Sequence, residues 1–213
     1  MSIVDFKNSH KLIKEWTYEL KPIYRGYNDR ILYVNLSDNY IKEKPVPPIM
    51  KEKFIGGKGY GLKLLWEATK SDTKWNDPEN EIIINTGPIC GIMQYSGTGK
   101  SLVVTISPLT DIVIDSNVGG HFGPFLKFSG FDSIEIQGKA KEEVIVFIDG
   151  INGKVQIYLA SDEPVNSHLL AEHLHEVFAD DEKDKKNISV ISTGIAAKHS
   201  LIGMLNFSFY DPK

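Results

Sequence analysis

The sequence predicts an α+β domain with a mainly antiparallel sheet, and three observations carry that prediction. Short β-rich runs outnumber helical stretches, hairpin turns join most of them, and one order of elements occurs twice. In the first pass a hairpin, a helix and a strand ending at Thr86–Gly87 lead to KSLVV from Lys100. In the second, a hairpin, a helix and a strand ending at Thr193–Gly194 lead to HSLIG from His199. The recurrence predicts an internal duplication, with hairpin/helix/strand units packed into one domain over residues 30–213.

The elements follow in chain order. Residues 1–29 show no clear strand pattern and are expected to form an extension that wraps the domain or binds a partner. ILYVNL from Ile31 alternates as a half-buried strand, and YIKEKPVP returns as a second strand that Pro45 ends. In GGKGYGLKLLWEATK, Gly61, Leu64, Leu65 and Ala68 fall at i, i+3, i+4 and i+7, which is one face of a helix. Asp77–Pro78 breaks the chain before the apolar strand EIIIN from Glu81. SLVVTI stops at Pro108, and DIVIDSN runs into Gly119–Gly120. GGHFGPFLKFSG then reads as a glycine turn feeding a short helix, and DSIEIQGKA as another strand. EVIVFIDG and KVQIYLA form a hairpin turning at Asn152–Gly153. SHLLAEHLHEVFADD is a helix with Leu170, Leu174, Val177 and Phe178 on one face and Ser167 placed to cap it. DEKDKK is a solvated charge run, and NISVISTG is the last clear strand.

Composition narrows the function classes. With 213 residues, 41% hydrophobic and 24% charged, the chain fits a soluble globular protein. A net charge of −4 gives no pull toward nucleic acid or anionic lipid. One cysteine, Cys90, allows no internal disulfide and no four-thiolate iron–sulfur cluster held by this chain alone. It reads instead as a small buried hydrophobe after a strand. The N-terminus is polar and no stretch is long enough to span a membrane, so a cytoplasmic location is expected.

No Ser/His/Asp order, HExxH or P-loop is present, so no catalytic or metal-ligating residue is assigned to this chain. GGKGYG from Gly56 lacks the parallel strand that a dinucleotide fingerprint needs, and reads as a tight turn with close helix packing. His168, His173 and His175 read as a solvated helix face. The informative stretch is Thr86 to Ala140, where a Ser-Asn-x-Gly-Gly turn precedes a helix. A helix N-terminus presents unpaired N–H groups and partial positive charge, which suits a phosphate. Asn117 adds an amide, Gly119 and Gly120 allow close approach, and Lys100 adds a point charge. The alternative reading of the same stretch is a set of structural turns.

Five ordered blocks carry a family resemblance: FIGGKGYGLKLLWE, DPENEIIINTGPICG, the SPLT turn, SNVGGHFGPFLKFSGFDSIEIQGKA and ISTGIAAKHSLIGMLNF. From about Arg30 onward the chain resembles the N-terminal domain of the aldehyde:ferredoxin oxidoreductase family, which includes the tungsten subunit of class II benzoyl-CoA reductase. The resemblance implies a domain that cradles a tungsten-bis(pterin), or its molybdenum equivalent. It places Asn117, Gly119 and Gly120 at a pterin phosphate, with Lys100 where the family commonly has arginine. Lysine keeps the charge but loses the bidentate fork. The resemblance also implies that the iron–sulfur cluster, the substrate pocket and the rest of the cradle belong to a remainder absent from this chain. That remainder, and through it ferredoxin, are the implied partners. The cofactor face is then expected to be an apolar patch or to be hidden in a homodimer. Two alternatives stay open: the same domain of a benzoyl-CoA-reductase-like enzyme, and a non-catalytic pterin-binding or assembly module.

Overall fold

The structure is a computed structural model that describes residues 10–160 and 166–208. Among these residues, eleven strands and four α-helices form an α+β arrangement with a main sheet of six strands. The main sheet contains β2 (Arg30–Asn35), β3 (Tyr40–Pro45), β4 (Glu81–Asn85), β5 (Ser101–Ile106), β6 (Val113–Val118) and β7 (Ser133–Gln137), in the order β3-β2-β7-β4-β5-β6. The β2–β7 pair is parallel and all other pairs are antiparallel. The sequence explains the order. RILYVN and EIIIN are buried almost throughout and lie inside the sheet, whereas YIKEKP carries three charged residues, ends in Pro45 and forms an edge.

Each face of this sheet buries its own core. On one face Ile31, Ile83, Val104 and Ile106 meet Met50 of α1 (Pro48–Phe54) and Tyr60, Leu64 and Leu65 of α2 (Gly57–Ala68). Gly61 permits that approach, because a Cβ there would stand 2.5 Å from Val104 Cγ2. On the other face Leu32, Val34, Ile84, Val103 and Ile134 meet Leu126 of α3 (Phe122–Phe128). They also meet Val155 and Ile157 of β9 (Lys154–Leu159), the centre of a second sheet ordered β1-β9-β8. Here β1 is Leu12–Thr17 and β8 is Val144–Asp149. Each fully buried aliphatic side chain stabilises the fold by about 1.5–3 kcal/mol.

The expected extension contains structure that the sequence pattern did not reveal. β1 pairs with β9, Tyr18 donates its hydroxyl to Ser129 O at 2.7 Å, and Asn28 N and Asp29 N donate to the buried Asp132 carboxylate. Residues 1–9 of that expected extension lie outside the described residues. α1 is a further element that no periodicity announced.

The recurring order of elements is visible as β2–β3, α2, β4, β5 and β8–β9, α4 (Ser167–Phe178), β10 (Ile191–Ser192), β11 (Asn206–Phe207). The β4–β5 and β10–β11 pairs are both antiparallel. The strings differ in outcome, however. KSLVV enters β5, whereas HSLIG forms no strand and its counterpart β11 begins at Asn206. The cap of α4 also differs from expectation. Asn166 is the N-cap, accepting from His168 N and Leu169 N, and Ser167 is the first helical residue. His175 does not share a solvated face: it is buried, and its ring nitrogens lie 3.0 Å from Lys185 O and 3.2 Å from Ser208 Oγ.

Candidate functional site

At the end of β4 the chain leaves the sheet through Thr86–Gly87 and returns at Lys100 into β5. Between these two crossings and the start of α2 lies a cavity of about 200 Å³, lined by Gly57, Gly87, Cys90, Gly97, Lys100 and Leu102 among others. A Cβ added at Gly57, Gly87 or Gly97 would meet nothing within 4 Å, and the same holds at Gly119 and Gly120. The concave surface is therefore bare backbone at several points, open to the approach of a flat or phosphate-bearing group.

Asn117 lies within β6, not in the turn expected to open a helix. It stands opposite Leu102 in the ladder, and Val118 stands opposite Ser101. Directly opposed residues project to one face, so Asn117 shares the α2-covered face with Leu102. Two residues before Leu102, Lys100 projects to that same face and lines the cavity. Gly119 and Gly120 continue β6 beside it. A Cβ at Gly99 would stand 2.3 Å from Gly120 O, so only a glycine lets the two chains cross so closely. The four predicted residues thus meet at one end of the β5–β6 pair. All four are exposed, and Lys100 makes no ion pair among the described residues.

The helix beside them is not the predicted one. α3, which opens at Phe122, packs on the other face, where Gly123 abuts Ser101 Oγ and Cys90 Sγ. The helix end bordering the cavity belongs to α2. Its N-cap Gly56 supplies no side-chain cap, and Gly57 N donates to Thr86 O at 2.9 Å. The next N–H groups of that turn have no intrahelical acceptor and leave partial positive charge at the cavity. Lys58 adds a cation, tied at 2.6 Å to Asp115, which lies two residues before Asn117 on the same face. Sequence reasoning read GGKGYG as a tight turn with close helix packing, and Gly56 and Gly61 do sit in close contact with Thr86 and Val104.

The electrostatics separate binding groups from inert ones. Burial pushes the Cys90 thiol up to about 11, so it stays protonated at neutral pH and acts as a packing group in the cavity wall. No cluster of three His, Cys, Asp or Glu residues able to hold a metal ion occurs among the described residues. Nor is any helix among them long and apolar enough to cross a membrane. Ile89, Met93 and Tyr95, on the loop that closes the cavity, are exposed. The site offers cations, an amide, a helix start and bare glycine backbone. This donor set fits a phosphate-bearing cofactor.

The fold is an α+β domain with a mainly antiparallel six-stranded sheet and a partly glycine-lined cavity at one end of β4 and β5. Residues 31–206 match the family described as "Aldehyde ferredoxin oxidoreductase, N-terminal domain", and the chain belongs to that family. It is similar to the tungsten-containing aldehyde ferredoxin oxidoreductase of Pyrococcus horikoshii, with 36% identity over 176 residues, covering 83% of this chain and 28% of that protein. It is also similar to the aliphatic sulfonate oxidoreductase, WOR-like subunit, of Pyrococcus furiosus, with 37% identity over 126 residues, covering 58% of this chain and 20% of that protein. Among solved structures it resembles the active site complex BamBC of benzoyl coenzyme A reductase. There the TM-score is 0.73 and the identity 29%, covering 81% of this chain and 25% of that chain. The chain therefore spans under a third of the length of these relatives.

Proposed function

We propose that this chain is the pterin-cradling part of a tungsten, or molybdenum, oxidoreductase that oxidises aldehydes to carboxylic acids with ferredoxin as electron acceptor. The observation that carries the reading is the meeting of Lys100, Asn117, Gly119 and Gly120 at one end of the β5–β6 pair, beside the cavity and the start of α2. When bound, the metal–pterin centre supplies the redox chemistry. The residues of this chain bind and orient it. Lys100 compensates phosphate charge, the Asn117 amide hydrogen-bonds a phosphate or ring-edge group, and Gly119 and Gly120 let the backbone approach. Gly57 and Lys58 extend the cradle on the helix side. The remaining cradle, the iron–sulfur cluster and the substrate pocket belong to further polypeptide that covers the exposed Ile89, Met93 and Tyr95, and ferredoxin is reached through that polypeptide. The likeness to the benzoyl coenzyme A reductase complex supports a second reading, in which the same cradle serves reduction of an aromatic thioester.

A fluorescent, oxidised pterin side-chain phosphate tests the cradle directly. The full 213-residue chain is expected to bind it, and the dephosphorylated pterin should bind more weakly. Equal binding of both forms, or none of either, contradicts the assignment.

A further inference from the structure

Two carboxylates lie on the α2-covered face, at the end of β4 remote from the cavity. Glu81 opens β4 and Glu135 lies in β7, with Gln137 opposite Glu81 and Ile83 opposite Glu135. The alternation of the two strands brings both carboxyls to one face as diagonal neighbours. Glu81 is 2% exposed and Glu135 1%. The register sets the two carboxyls side by side, and Glu81 Oε2 is buried with no hydrogen-bond partner among the described residues. Among the described residues, one cation contacts them: Lys44 of β3 pairs with Glu135.

The other elements around the pair bring no compensating charge. β2 presents Tyr33, whose hydroxyl donates to Gln137 Oε1 and whose ring carries Lys42 Nζ at 5.1 Å from its centroid. α2 presents Glu67, already paired with Lys63 at 2.7 Å and repulsive toward Glu135. β5 presents the apolar Val104 and Ile106 on this face. With both carboxyls ionised, one ammonium would face two buried anions, leaving uncompensated charge out of water. A single shared proton removes that imbalance. Glu81 O–H donates to the Glu135 carboxylate, and Lys44 compensates the charge that remains.

We propose that Glu81 and Glu135 share one proton at neutral pH, and that its loss to solvent on the alkaline side loosens the β7–β4 centre of the main sheet. Burial, with the Glu135 charge adding to it, pushes Glu81 up to about 8, and burial raises Glu135 as well. An unfolded glutamate titrates near about 4.3. Between about 4.3 and about 8 the folded chain holds a proton that the unfolded chain lacks. Stability therefore falls as pH rises through this window and levels off above it.

The test is thermal unfolding of the full chain and of Glu81→Gln from about pH 7 to about pH 9, above the histidine range and spanning the upper part of that window. The unfolding midpoint of the parent should fall with rising pH, and Glu81→Gln should flatten the fall and unfold later at the alkaline end. An unchanged slope in Glu81→Gln, or no slope in the parent, overturns the proposal. If the variant does not fold, infrared spectroscopy of the parent decides. A protonated carboxyl band present at neutral pH and lost on alkaline titration supports the shared proton, and its absence at neutral pH refutes it. Lys44→Met should move that titration to higher pH, and a shift to lower pH counts against the pair.

Discussion

Lys127, buried in the fold, and Lys100, at the cavity, do opposite work. Lys127 is 1% exposed, ion-paired with Asp132, and donates to Gly26 O at 2.9 Å. Asp132 in turn accepts from Asn28 N and Asp29 N, at 3.1 and 2.8 Å, so the pair fastens residues 26–29 against the start of β7. Gly26 then abuts Pro88, behind the cavity-lining stretch, where a Cβ would stand 2.1 Å from Pro88 O. Lys100 has no such partners among the described residues and is exposed at the cavity, next to Gly99. A buried charge paired with a carboxylate and bonded to a backbone carbonyl is a fixture of the fold. An exposed charge held beside a cavity by rigid strands is free to meet a ligand.

The sharpest way to break this contrast is Asp132→Ala, which strands the Lys127 ammonium in the interior and orphans two backbone N–H groups. It should cost about 3–5 kcal/mol in urea unfolding. A loss below about 1 kcal/mol would mean that Lys127 is not committed to the fold. Gly61→Leu attacks the face that carries the site by wedging α2 off Val104, and should cost about 1–3 kcal/mol by the same measurement. The acid limb of stability sharpens the picture elsewhere. Burial holds His10, His173 and His175 below the ordinary histidine value, so they fold neutral while the unfolded chain protonates them. Stability should therefore fall as pH drops through about 6.5 and below, and His175→Gln should shallow that fall. Lys100→Ala should show the smallest effect on stability, within about 0.5 kcal/mol, because nothing in the fold leans on it.

Much of the fold was legible because its elements carry clean periods. α2 was read from Gly61, Leu64, Leu65 and Ala68, the first three buried and Ala68 half-buried, and EIIIN, SLVVTI and SIEIQ appear as strands. β1 was illegible because LIKEWT is an edge strand with mostly exposed side chains, so burial stamps no alternation on it. Glu135 was hidden for the opposite reason. Alternation in SIEIQ suggests a solvated glutamate, yet α2 covers that face as well. That the proposed site residues lie together was legible, but the geometry around them was not. Lys100, Asn117, Gly119 and Gly120 meet as a group, but local sequence suggested the helix that follows them. Tertiary packing instead supplies α2, more than forty residues earlier in the chain.

That difference between helices gives the most direct test. Inorganic pyrophosphate titrated into the isotopically labelled full chain, followed by amide resonances, reports which backbone receives the anion. The account predicts saturable shifts centred on Lys100, Asn117, Gly119, Gly57 and Lys58. They should weaken in Lys100→Ala and be kept or strengthened in Lys100→Arg, whose fork grips phosphate with two bonds. Shifts centred on Phe122 and Gly123 at the start of α3, or shifts indifferent to residue 100, would contradict it.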